Sequence, residues 1–137
     1  MTAVAILVER LAVGLDSGDQ EDEHSCFSDT TNRDFVYDLK GIANVWTGRY
    51  PSLDGPGMRH LLAKVAPELT AEVDGLLANA TVKVTALGDP WDRVLASPPD
   101  SAERAVAEKA VTALQALADG LKRAGNELGV LVQIPAG

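Results

Sequence analysis

Aromatic residues are scarce in this chain, with two each of Phe, Trp and Tyr making up 4% of the total. A core must therefore be assembled mainly from Ala, Val and Leu, which suits closely packed helices. Cysteine occurs once, at Cys26, so no intramolecular disulfide is possible and the compartment is left open. Beside Phe27, that lone cysteine reads as a small buried hydrophobe. Histidine occurs twice, and neither a CxxC nor an HExxH pattern is present. Bases are in the minority, 12 Lys and Arg against 20 Asp and Glu, for a net charge of −8. That balance excludes the basic surface that nucleic acid requires, and it argues against an anionic membrane surface. No apolar run reaches the roughly 18–20 residues that span a bilayer.

What is present is helical periodicity. The chain has 137 residues, 46% of them hydrophobic, enough for one domain with a continuous core. Val4, Leu7, Val8, Leu11 and Leu15 recur at helical spacing. This N-terminal stretch lacks a basic leader and is interrupted by Glu9 and Arg10, so it reads as a buried helix and not a signal peptide. Its abrupt start reads as though the chain opens inside a helix, as in an excised or processed piece. Phe35, Val36, Leu39, Ile42, Ala43 and Trp46 share a second face. Leu69, Val73, Leu77, Ala80 and Val84 share a third, and Leu114, Leu117, Leu121 and Leu128 belong to a fourth. The spacing predicts helices over about 3–17, 31–47, 67–87 and 101–128, with a short one over 58–65 and no strand. A hydroxyl of Ser28, Thr30 or Thr31 is expected to cap the second helix, and Asp100 or Ser101 the last. The tail from Val130 onward is expected to pack or fray. The fold class expected is all-α: an up-down four-helix bundle with short extra helices in its connections, forming one domain over residues 1–137.

The charge is not spread evenly. From Asp16 through Asp38 there are eight acids to one base, Arg33, so the other segments are close to neutral. Carboxylates this dense raise one another's pKa unless water, a base or a cation intervenes. The stretch is therefore either a solvated acidic loop or part of a polar site for a metal or substrate. Gly41, inside the second helix, costs about 1 kcal/mol relative to Ala and points to close approach of another helix or a ligand.

The same stretch carries Glu21-Asp22-Glu23-His24-Ser25-Cys26-Phe27-Ser28-Asp29, then Gly41-Ile42, Asn44-Val45, and Gly48 with Tyr50. In these residues the chain resembles the C-terminal half of imelysin-like proteins, the insulin-cleaving and iron-regulated family assigned to a metallopeptidase group. Asp89-Pro90-Trp91-Asp92 is similar to the family's Pro-aromatic-Asp element before its last long helix. The resemblance implies an all-helical fold of two bundle-like lobes with a polar site between them. It also implies export to the periplasm or outer membrane, and a link to iron uptake. The family's proposed metal motif, GxHxxE, belongs to the other lobe and is absent here. Asn32 stands where a His is common, and Asp38 where an Asn is usual.

Glu23, His24 and Asp29 are the candidate metal ligands, with Glu21, Ser25, Ser28, Arg33 and Asp34 as further site candidates. Carboxylate and imidazole suit a divalent or ferric cation: iron, manganese or zinc. Consecutive residues of Glu21 to His24 leave the backbone on different sides, so they cannot all converge on one ion. For His24 the alternative is a neutral imidazole that organises its own loop, and for Ser25, Ser28 and Asp29 it is helix capping. Arg33 and Arg49 are candidates to pair with the acids, His60 is expected at the surface, and Trp46 and Trp91 in the core. Three functions stay open: a binding lobe that completes its site with a complementary lobe, a metallopeptidase, and an interaction module that associates with its other half or as a homodimer. A zinc peptidase needs about three ligands and a general base, which this chain does not supply alone.

Overall fold

The computed structural model describes residues 3–130. Four long helices dominate: α1 (Ala3–Ser17), α2 (Thr31–Thr47), α4 (Pro67–Thr85) and α6 (Ala102–Glu127). The short helices α3 (Met58–Leu62) and α5 (Trp91–Leu95) lie in the connections, as does a 3-10 turn at Gln20–Asp22. No helix among the described residues is long and apolar enough to cross a membrane. Most of the C-terminal tail, from 131 to 137, lies outside the described residues.

The long helices pack in a ring, α1 on α2, α2 on α4, α4 on α6 and α6 back on α1. Leu7, Leu11, Phe35, Leu39, Val73, Val84, Leu114 and Leu117 fill its interior. The face that α6 turns inward is built largely of small residues, Ala107, Ala110, Ala113, Ala118, Gly120 and Ala124, all buried. Small side chains let helix axes approach closely, which compensates for the lack of aromatic bulk. Trp46 and Trp91 are both buried in this core.

Local rules place the helix ends. Gly18 and Gly48 close α1 and α2 with positive φ. Pro67 occupies the first turn of α4, and the Ser101 hydroxyl accepts from Arg104 N at 3.2 Å to cap α6. The capping expected of α2 does not occur. Thr30 precedes that helix without a side-chain cap, because its hydroxyl and that of Ser25 are directed to Asp34 instead. Helix α3 is also shorter than its spacing suggests. Leu62 alone is buried there, while Met58, Leu61 and Val65 are exposed. A five-residue helix is little more than one turn, too short to align four apolar positions on one face.

The expectation of no strand is corrected by a small antiparallel ribbon, β1 (Arg49–Tyr50) with β2 (Leu53–Asp54), pairing Arg49 with Asp54 and Tyr50 with Leu53. Two residues per strand are too few for a period-two pattern to register. The chain then folds back so that Gly55 N donates to Gly48 O at 3.0 Å and Gly57 crosses directly over the end of α2.

One polar network locks α2, α3 and α4 together. The buried indole of Trp46 donates to Asp74 Oδ1 at 2.7 Å, and Arg59 Nε donates to the same oxygen at 3.2 Å. Burial works against the Asp74 charge, but hydrogen bonds from Arg59 and Trp46 and the nearby guanidinium outweigh it and hold its carboxyl below the ordinary value. Asp74→Ala leaves the Trp46 N–H buried and unpaired, an expected loss of about 1–3 kcal/mol. Arg59 is 39% exposed, so its ion pair adds little to that figure. Because the folded pKa is depressed, the Asp74 contribution is present above the ordinary 3.8 and is lost as pH falls through the lower folded value. Melting temperatures of wild type and Asp74→Ala should therefore differ most at neutral pH, and the gap should narrow as pH falls below 3.8. A gap that did not narrow in acid would show that the Asp74 charge is not what stabilises the corner.

Candidate functional site

Between α1 and α2 the acidic segment is not a featureless loop. Ser17 Oγ accepts from Asp19 N at 3.1 Å, and Asp19 Oδ1 accepts from Glu21 N at 3.0 Å, so Asp19 starts the 3-10 turn. Glu21 and Asp22 face outward. The chain then turns Glu23 inward. Further along, Ser25 N donates to Thr31 Oγ1 at 3.0 Å, and the Ser25 hydroxyl donates to Asp34. Thr30 Oγ1 donates to the same Asp34 oxygen at 3.3 Å, and Ser28 Oγ lies 2.9 Å from Thr30 Oγ1. Four hydroxyls thus tie the segment to the first turn of α2, a local and partly self-satisfying arrangement.

Two groups of charged residues emerge. In the first, His24 Nε2 lies 3.4 Å from Asp38 Oδ2, and the imidazole lies nearly parallel to the Phe35 ring. In the second, Glu23, Asp29 and Asp92 bring ligand oxygens within 4.8 Å of one another. Glu23 is only 4% exposed, and neither carboxylate oxygen makes a well-formed hydrogen bond among the described residues. Asp92 comes from the first turn of α5, where its Oδ2 accepts from Gln20 Nε2 at 2.9 Å. Asp29 is exposed and takes φ +51, a left-handed conformation that aspartate tolerates better than most residues.

Burial pushes the Glu23 carboxyl above its ordinary value. The nearby Thr31 hydroxyl opposes that shift, and Asp92 and Asp29 add to it. Three carboxylates this close repel unless a proton or a cation comes between them. All the donors are oxygens, the set that hard cations take.

The residues singled out from sequence therefore separate. Glu23 and Asp29 meet; His24 is drawn to Asp38; Ser25, Ser28 and Asp34 serve the loop; Glu21 is solvated. Arg33 is exposed and forms no ion pair among the described residues, whereas Arg49 pairs with Asp54 at 3.5 Å on the surface. Cys26 is half-buried, less enclosed than expected of a core hydrophobe. His60 is exposed, its Nδ1 accepting from Gly57 N at 3.0 Å. Neither histidine joins a group of three metal-ligating side chains among the described residues. The amide oxygen of Asn32 is buried without a partner. Asp92 was missed as a site residue, although the Pro-aromatic-Asp spacing that contains it is visible in the sequence.

Asp38 also belongs to a second feature. With Tyr37, Gly41, Val45, Met58 and Leu121 it lines a groove of about 440 Å³ whose walls are otherwise largely apolar. Tyr37 and Val45 are about two-thirds exposed. Among the described residues, no atom of the other elements lies within 4 Å of where a Cβ on Gly41 would sit. Close packing among the described residues therefore does not offset the helix cost of that glycine.

The sequence model of one family, described as Imelysin, matches residues 1–121. A comparison with curated proteins gave no match.

Proposed function

The chain belongs to the imelysin family, and on that premise we propose that it is a single-domain binding lobe, contributing polar residues to a metal site that a complementary lobe closes. The observation that carries this reading is the continuity of polar and apolar surface at Asp38. That residue pairs with His24 on one side and lines the apolar groove on the other. A partner seated over Tyr37, Gly41 and Val45 would cover the acidic segment at the same time. Exposed apolar patches of this kind mark association sites. The location that goes with this role is the periplasm or the outer membrane, and the associated process is iron uptake. Catalysis by the chain alone is not part of the proposal, since a peptidase metal centre calls for nitrogen donors and a general base beside an open position.

Sedimentation equilibrium at tens of micromolar tests the reading, with the chain alone and mixed with an imelysin-family lobe that carries GxHxxE. The expected result is a one-to-one complex with that lobe, lost in Val45→Glu and Tyr37→Glu variants that remain helical by circular dichroism. Calorimetric titration with ferric, ferrous and zinc ions should show tighter binding by the complex than by the chain. A chain that stays monomeric in both settings would overturn the lobe reading.

A further inference from the structure

We propose that Glu23, Asp29 and Asp92 form a site for one hard, oxygen-liganded cation of the class that includes manganese(II), calcium and ferric iron. The inference rests on the reading of the chain as a metal-binding lobe and narrows it to a ligand set, with Asp92 as a member and His24 outside it.

Three observations support the assignment. The ligand oxygens lie within 4.8 Å of one another, close enough to share one ion after small side-chain adjustments. Glu23 is only 4% exposed, neither oxygen makes a well-formed hydrogen bond among the described residues, and one of them lies within 4.8 Å of an oxygen of each of the other two carboxylates. A buried carboxylate without a donor is costly, and a cation at this point removes the cost. Finally, Glu23 and Asp29 share the connection between α1 and α2, but Asp92 comes from α5, so the third carboxylate is brought in by tertiary packing and not by the local acidic run. Asp29 stands on the exposed side, which leaves a path for the ion and room for water to complete six to eight ligands.

The set contains no nitrogen or sulfur. His24 is held at Asp38, 3.4 Å away, and Cys26 does not belong to the group. Oxygen-only coordination favours hard cations over the softer ions that imidazole and thiolate recruit.

The test uses the full chain with manganese(II), followed by electron paramagnetic resonance, and with terbium(III), followed by luminescence excited through tryptophan, since Trp91 adjoins Asp92. The expected result is one ion per chain. Glu23→Gln and Asp92→Asn should each weaken binding about tenfold or more, and His24→Ala should change it by less than about threefold. Glu23→Gln preserves shape, so its metal-free melting temperature should match or exceed wild type, while the rise on adding manganese(II) disappears. Binding that survives both carboxylate changes would place the ion on solvated surface acids and overturn the site. Binding abolished by His24→Ala but untouched by Glu23→Gln would overturn this ligand set and leave the lobe reading standing. No binding by wild type would overturn the site, while lobe association is decided separately.

Discussion

Gly57→Ala is expected to lose at least the upper end of the about 1–3 kcal/mol that overpacking costs. A Cβ on Gly57 would lie 2.2 Å from Gly48 N, 2.4 Å from Thr47 C and 2.4 Å from Trp46 O. All three are backbone atoms, so no rotamer change relieves the clash. The corner would have to open, displacing the turn that joins α2 to α3 and, with it, the Trp46–Asp74 hydrogen bond. Domains of this size have only about 5–15 kcal/mol of stability, so the loss is a large fraction. Urea denaturation measures it directly. Gly41→Ala is the matched control: among the described residues no other element comes within 4 Å of the added Cβ, so replacing a helix-interior glycine should stabilise by about 0.5–1 kcal/mol. If both variants unfold at the wild-type midpoint, the backbone crossing at Gly57 is looser than described.

Trp91→Ala should cost about 3–5 kcal/mol, the range for truncating a buried aromatic residue. Trp91 is 1% exposed and meets the Phe35 ring edge-to-face at 5.6 Å between centroids. Its indole N–H has no hydrogen-bond partner among the described residues, so only volume and ring contacts are at stake. Trp91→Phe retains most of the ring and removes an unpaired buried donor, and its expected cost is below about 1.5 kcal/mol. The pair of variants separates packing from polarity, which a single truncation cannot do. Because Trp91 anchors the first turn of α5, its truncation should also weaken cation binding through Asp92, while Trp91→Phe should not. A phenylalanine variant as unstable as the alanine one would mean that the indole nitrogen is engaged after all.

The long helices were readable because their burial repeats every three to four residues. Leu7, Leu11 and Leu15 in α1 and Phe35, Leu39 and Trp46 in α2 all turn inward as their spacing requires. Short elements were less readable. Over 58–65 four apolar residues look periodic, yet the helix that forms, Met58–Leu62, is too short to face them all to the core. The ribbon at Arg49–Asp54 was invisible for the same reason of length. Within the acidic segment, composition marked a concentration of charge but not its division. Stacking on Phe35 and attraction to Asp38 take His24 to one side, while Glu23 turns to the other.

By itself the sequence determined an all-helical chain with four long amphipathic segments, and it located the residues that tie it to the imelysin family. Helix formation depends on hydrogen bonds four residues apart and on an apolar stripe of matching period, both written locally. That Asp92 joins Glu23 and Asp29 was decided by tertiary structure alone. Glu23 leaves the end of α1's connection and Asp92 begins α5, and only the packing of α5 against the bundle brings them together. Coulomb repulsion among acids is legible from their number, but whether a pair stands a few ångströms apart or across the molecule depends on distances that no local pattern encodes.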